Sequence, residues 1–279
     1  MINLPPSDIT TYQQAVNSGQ TVRLLPGHHD IPGLQLNGET EIVGEPGSEI
    51  SVHDQPWNLS GWYNKIRNLR VLGPSPQWLH LEGATRTTVE ECETFAVDYF
   101  VKDSGLPSTV AWFEKTITNS GKIHLTNTKG FIYFDKFISN WVGSNPEGSI
   151  IRIENAEGVR FIDTEVSGNG SYEDEPHIAF HLENCFSALF ERTMADSVAQ
   201  GFGIYGCHYV KFSGEASNCT RAGFVMQDCG HSEIPYLRVT GRDHSNLGGN
   251  SIYGNIVISF TEYEKGMIVS RYNNNPDKL

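Results

Sequence analysis

The feature that most constrains this chain is a short segment, apolar-x-apolar-x-(Asn/Asp/Gly), that returns along its length. It reads Leu79-His80-Leu81-Glu82-Gly83, Tyr99-Phe100-Val101-Lys102-Asp103, Ile123-His124-Leu125-Thr126-Asn127 and Ile151-Arg152-Ile153-Glu154-Asn155. It continues as Phe180-His181-Leu182-Glu183-Asn184, Phe202-Gly203-Ile204-Tyr205-Gly206 and Phe224-Val225-Met226-Gln227-Asp228, with a weaker form at Ile252-Tyr253-Gly254-Asn255. The second residues are separated by 20, 24, 28, 29, 22, 22 and 28 positions. Self-similarity at such a period marks a solenoid with one coil per repeat.

Alternation with period two means that each segment is a strand burying one face, and Asn, Asp or Gly then supplies a left-handed or bridging residue for a turn. A second inward pair follows the turn residue by four and six positions, as in Phe131 and Tyr133, Val159 and Phe161, Ala188 and Phe190, and Val210 and Phe212. Each coil is thus a strand, a tight turn and another strand. The expected fold is all-β, a right-handed parallel β-helix in one domain over residues 1–272, with 273–279 as a frayed tail. Helical periodicity occurs once, over 11–18, with Ile9, Tyr12, Ala15 and Val16 on one side and Gly19 as the stop. Residues 1–20 are expected to cap the open end of the solenoid.

With 279 residues at 38% hydrophobic, the chain can bury a sizeable core. Its 20 Lys and Arg against 33 Asp and Glu give a net charge of -13. That balance argues against nucleic acid, an anionic membrane or a polyuronate as partner unless a strong local exception exists. No apolar stretch approaches the roughly 18 residues of a membrane span, and the N-terminus lacks a basic region followed by an apolar run. A cytoplasmic protein is expected. Five cysteines, an odd number, read as reduced thiols. Cys185, Cys207 and Cys229 each follow the turn residue, in the slot held earlier by Ala84, Thr128 and Ala156, so they read as a stack of small buried residues. Without close Cys-x-x-Cys or Cys/His spacing, no metal is expected there. His28-His29-Asp30 is a second metal candidate, read instead as a turn after Pro26-Gly27. No cofactor is implied.

The register also predicts a face. One outward row reads His80, Phe100, His124, Arg152, His181, Gly203, Val225 and Tyr253; its neighbour reads Glu82, Lys102, Thr126, Glu154, Glu183, Tyr205, Gln227 and Asn255. Coils stack at about 4.8 Å, which would line up His124, Arg152 and His181 beside Glu154 and Glu183. An imidazole between cations and carboxylates can transfer a proton near neutrality, and an arginine can stabilise developing negative charge. These five are the candidate catalytic residues. The plainer alternative is a solvated sheet face whose charges satisfy one another across strands. Insertions at 143–149, 167–177 and 240–250 would wall this face, the middle one adding Tyr172, Asp174 and His177 as candidate substrate contacts. Outward Phe100, Tyr205 and Tyr253 would give apolar walls suited to a carbon skeleton or a sugar ring.

From Ile9 to Ile50, the segments Tyr12-Gln13-Gln14-Ala15-Val16, Thr21-Val22-Arg23-Leu24-Leu25-Pro26-Gly27 and Ile42-Val43-Gly44-Glu45-Pro46-Gly47 resemble the opening coils of the pectin-lyase-like β-helix superfamily. The resemblance extends through the coils to about Tyr253. It implies the fold and leaves the chemistry open, because that superfamily hosts lyases, hydrolases, epimerases, phage tailspikes and noncatalytic solenoids. The Asn-Thr-Asp, Asp-Asp, Gly-His-Gly and Arg-x-Lys motifs of polygalacturonase-like hydrolases are absent. Glu154, Glu183, Asp174 and Glu175 do not form the recognisable calcium pattern of pectate lyases. The first expectation is a cofactor-independent enzyme that cyclises or rearranges a mostly apolar, polyketide-type small molecule, by resemblance in fold and size to the β-helix cyclases of polyether tetronate biosynthesis. The alternatives are a lyase, epimerase or hydrolase acting on a glycan, preferably neutral, and a noncatalytic binding module. Oligomeric state is not legible.

Overall fold

Strand and turn chemistry combine in a simple way: alternate residues of each short strand turn inward, and one residue in the left-handed backbone region then sends the chain around the corner. In this computed structural model, the structure describes residues 1–84, 86–105, 110–141, 148–168, 178–219 and 222–241, and beyond them the strands Ile256–Ser259, Ile268–Val269 and Tyr272–Asn274. The chain divides into two compact units, Met1–Ser139 and Asn140–Leu279. Each is built of parallel strands stacked coil on coil, the right-handed parallel β-helix expected from the repeats.

In the first unit, Arg70–Leu81 pairs with Glu93–Asp103, which pairs in turn with Lys122–Thr126. Trp57, Trp78, Phe100, Phe113, Phe134 and Phe137 fill the interior. In the second unit, Ser149–Glu154, Ile178–Glu183, Gln200–Tyr205 and Ala222–Gln227 pair in one unbroken register. Its core is a pile of phenylalanines, with Phe180 parallel to Phe202 at 4.8 Å and Phe161 on Phe190 at 4.9 Å. Burying each such side chain contributes about 1.5–3 kcal/mol.

The turn residues obey the expected chemistry. Gly83, Asn127, Asn155, Asn184, Gly206 and Asp228 all have φ between 53° and 66°, where glycine, Asn and Asp are least penalised. One coil departs from the expected register. Its turn residue is Gly105 (φ 76°), and Asp103 lies in the inward position opposite Leu81. There the Asp103 carboxylate, 8% exposed, accepts from the Thr126 amide, the Thr126 hydroxyl and the Gly105 amide, which offsets its desolvation. The turn residues are therefore spaced 22, 22, 28, 29, 22 and 22 apart from Gly83 to Asp228.

The second strand of each coil behaves as expected where Val159, Phe161, Ala188, Phe190, Val210 and Phe212 are buried. Phe131 and Tyr133 instead face outward, and Ile132 and Phe134 are the buried pair. One extra residue between Asn127 and this strand shifts the alternation and exchanges the two faces. Tyr272–Asn274 is a strand beside Leu237–Val239.

The helix spans Ile9–Asn17, with the Asp8 carboxylate accepting from the Thr11 amide at 2.8 Å as its N-cap and Gly19 (φ 68°) past its end. Tyr12, Ala15 and Val16 are buried, whereas Ile9 is 36% exposed. His28-His29-Asp30 is part of a strand, Gly27–Asp30, and not a turn. His29 is fully buried, its Nδ1 2.6 Å from the Tyr12 hydroxyl and its Nε2 2.7 Å from the Leu25 carbonyl, so both ring nitrogens are engaged within the end cap. All five cysteines are buried thiols, with Ala84, Thr128 and Ala156 buried in the corresponding slot. Burial pushes Cys92 and Cys219 up to about 12. Among the described residues, no helix is long and apolar enough to cross a membrane.

Candidate functional site

The strands of the second unit place Arg152 beside His181 and His181 beside Gly203, and two residues further on they place Glu154 beside Glu183 and Glu183 beside Tyr205. Inward neighbours Ile151, Ile153, Phe180, Leu182, Phe202 and Ile204 are buried, so period-two geometry forces these six residues onto the outer wall. Four of the five proposed catalytic residues, Arg152, Glu154, His181 and Glu183, are thereby brought together. The fifth, His124, belongs to the first unit, in register with Lys102.

His181 is the most constrained member, its side chain 14% exposed. Its Nδ1 lies 2.9 Å from the Ser149 hydroxyl and its Nε2 lies 3.7 Å from the Glu183 carboxylate. Tyr205 closes one side, with its ring edge-on to the imidazole at 5.3 Å. The Tyr205 hydroxyl accepts from Gln200 Nε2 at 3.0 Å, and that amide also donates to the Phe202 carbonyl at 3.3 Å. Gly203 makes this arrangement possible. A Cβ there would lie 2.7 Å from Gln200 Nε2 and 2.8 Å from the Tyr205 ring.

The Arg152 guanidinium pairs with Glu154 through both Nε and an Nη, and an Nη stands 3.8 Å from Glu183. One cation thus lies between two carboxylates. The guanidinium and the two carboxylates together carry an excess negative charge. A hydroxyl-rich ligand would find donors and acceptors together here: imidazole, two carboxylates, a guanidinium, a phenol and a carboxamide.

One expected contact is relocated by the register. Phe100 does not face outward. It is fully buried, edge-on to Trp78 at 5.2 Å and Phe113 at 5.7 Å, and Lys102 takes the outward position between His80 and His124. Near its end the strand Glu93–Asp103 has two consecutive buried residues, Phe100 and Val101, and its pairing is irregular at that point, so strict alternation places Phe100 on the wrong face. The strand beside Ala222–Gln227 is Ile256–Ser259, with Val257 opposite Val225. Tyr253, Tyr172, Asp174 and His177 lie outside the described residues. Ser149 and Gln200 were missed at the sequence level because they sit at the upstream ends of their strands, before the recurring segment begins. A polar residue three positions before the outward Arg or Gly was the available signal.

No family model matches the chain, and no curated protein matches its sequence. Among solved structures, it is similar to a rhamnogalacturonan lyase with a TM-score of 0.54 at 11% identity, over 96% of this chain and 87% of that one. The chain has the right-handed parallel β-helix fold. It is also similar to the A-module of the Azotobacter vinelandii mannuronan C-5 epimerase AlgE6, with a TM-score of 0.48 at 12% identity over 94% of both chains. A third likeness is to tailspike gp49 of the Acinetobacter baumannii bacteriophage Fri1, a capsular polysaccharide depolymerase, with a TM-score of 0.42 at 11% identity over 99% of this chain and 63% of that one. At these identities the likeness carries the fold and transfers no residue roles.

Proposed function

We propose that the outer wall of the second unit binds a neutral glycan and acts on it, with His181 as the proton-transfer group. The observation that carries this reading is the fixing of one imidazole by three different partners, Ser149, Glu183 and Tyr205, on a wall otherwise lined by hydrogen-bonding groups. A base hydrogen-bonded at one ring nitrogen and facing a carboxylate with the other is oriented for proton transfer, which typically contributes 10²–10⁴-fold to a rate. Arg152, Glu154 and Glu183 would hold sugar hydroxyls, and the excess negative charge favours a neutral chain.

The first expectation, an apolar, polyketide-type substrate, came from resemblance in fold and size to β-helix cyclases, with outward aromatics as walls that suit a carbon skeleton or a sugar ring alike. Phe100 is in the core, and the Tyr205 hydroxyl and ring are both engaged by polar neighbours. The rhamnogalacturonan lyase likeness agrees with a sugar substrate without specifying one. The test is a panel of plain and O-acylated neutral polysaccharides, with acidic ones as comparison, monitored for new reducing ends, ultraviolet-absorbing unsaturated sugars and released acid. Turnover on a neutral glycan that falls at least about 100-fold in His181→Ala, at unchanged melting temperature, is expected. Turnover that survives in His181→Ala, or a panel with neither binding nor products, would overturn the reading.

A further inference from the structure

His181 is flanked by a hydroxyl on one nitrogen and a carboxylate on the other, and this order has a chemical meaning. A Ser149 hydroxyl that donates to Nδ1 at 2.9 Å leaves the ring proton on Nε2, the nitrogen that faces Glu183 Oε2 at 3.7 Å. Hydroxyl, imidazole and carboxylate then form a relay in which proton loss from serine creates an imidazolium beside an anion. A nucleophile within hydrogen-bond reach of a base that is itself oriented by a third group is the signature of covalent catalysis, whatever the fold and whichever ring nitrogen serves. Ser149 is 7% exposed, so its hydroxyl is held by the imidazole rather than by bulk water. Arg152 lies in register beside His181, a cation on the same wall for a developing oxyanion.

We infer that Ser149 is a nucleophile and that this wall hydrolyses acyl esters, its substrate being an O-acylated glycan; this rests on the proposal that the same wall is the reacting one. Ser149 Oγ bonds to the acyl carbonyl carbon while its proton passes to His181 Nδ1. The ester C–O bond breaks, and the departing sugar oxygen takes that proton. Water then adds to the acyl-serine and gives a proton to His181, the Oγ–C bond breaks, and the serine oxygen recovers the proton. Ester and water become alcohol and carboxylic acid, with no oxidant or cofactor required. Glu183 stabilises the imidazolium in both halves.

The full chain is treated with a fluorophosphonate, the labelled residue is mapped by peptide mass spectrometry, and acid release is measured from 4-nitrophenyl acetate and from an O-acetylated neutral polysaccharide. An adduct on Ser149 that is absent in His181→Gln is expected, together with an acid-release rate that falls on the order of a thousandfold in Ser149→Ala and less in Glu183→Gln. Labelling needs no variant, so poor folding of Ser149→Ala would not shield the idea. No adduct, an adduct on another residue, or undiminished ester hydrolysis in Ser149→Ala would overturn it. If His181-dependent cleavage of a glycan persists while Ser149 stays inert, the relay alone is wrong. If Ser149 cleaves simple esters but no glycan binds, the relay stands and the glycan assignment is wrong.

Discussion

In the first unit the outward row runs His80, Lys102, His124; in the second the same strand position reads Arg152, His181, Gly203. Both rows carry cations and imidazoles on adjacent coils, yet their surroundings differ. Lys102 and Lys122 lean on the Tyr99 ring, at 5.3 and 5.9 Å from its centre, and Gln77 spends its amide on the Leu79 and Lys102 carbonyls and His80 Nδ1. In the second unit, Ser149 and Glu183 bracket one imidazole, and the glycine beside it lets Tyr205 and Gln200 fold inward. A row of ionisable residues is therefore not yet a site. What distinguishes the second row is that one base is fixed by groups able to accept, donate and balance charge as a proton moves.

The contrast can be broken most sharply at Phe100. If it is core, Phe100→Ala should cost about 3–5 kcal/mol of stability, read as a lower denaturant midpoint. An outward Phe100 would give a change within about 0.5 kcal/mol, and the first unit's row would have to be redrawn. The next largest effect is expected at Gly203. The atoms a new Cβ would meet belong to the ends of flexible side chains, so Gly203→Ala should fold normally while pushing Tyr205 away from His181. Turnover should then drop roughly tenfold, equivalent to about 1.4 kcal/mol. An unchanged rate would show that Tyr205 merely covers the wall.

The smallest effect is read by pH at His29, in the first unit. Burial, reinforced by the charge of His28 and opposed by the Leu25 carbonyl, holds the His29 imidazole below its ordinary value. The unfolded chain therefore takes up a proton at higher pH than the folded one. The associated stability is present above about pH 6.5 and is lost as pH falls toward the depressed folded value. Melting temperature should decline through that window, with a flatter slope in His29→Gln. Tyr12→Phe, which removes the hydroxyl bonded to His29, should cost about 1 kcal/mol at neutral pH. An unchanged slope in His29→Gln would assign the acid sensitivity elsewhere.

Much of the coil was legible from residue pattern because it depends on local rules. Alternation buries Ile151, Ile153, Phe180, Leu182, Phe202 and Ile204, and the backbone demands Asn, Asp or Gly at the corner. The buried cysteine slot follows from the same register. A stricter use of period would have recovered more. Placing the corner at Gly105 rather than Asp103 turns uneven spacings of 20 and 24 into two of 22, and moves Lys102 into the outward row.

The sequence by itself determined the parallel β-helix and the outward placement of Arg152, Glu154, His181 and Glu183, because alternation and corner preference act over a few neighbouring residues. Only the tertiary structure decided that Phe100 belongs to the core, that Ser149 reaches His181 across 32 positions, and that Gly203 admits Tyr205. The physical reason is that a slip of one or two residues preserves local preference while exchanging faces, and that side chains on different coils meet only once stacking fixes their common register.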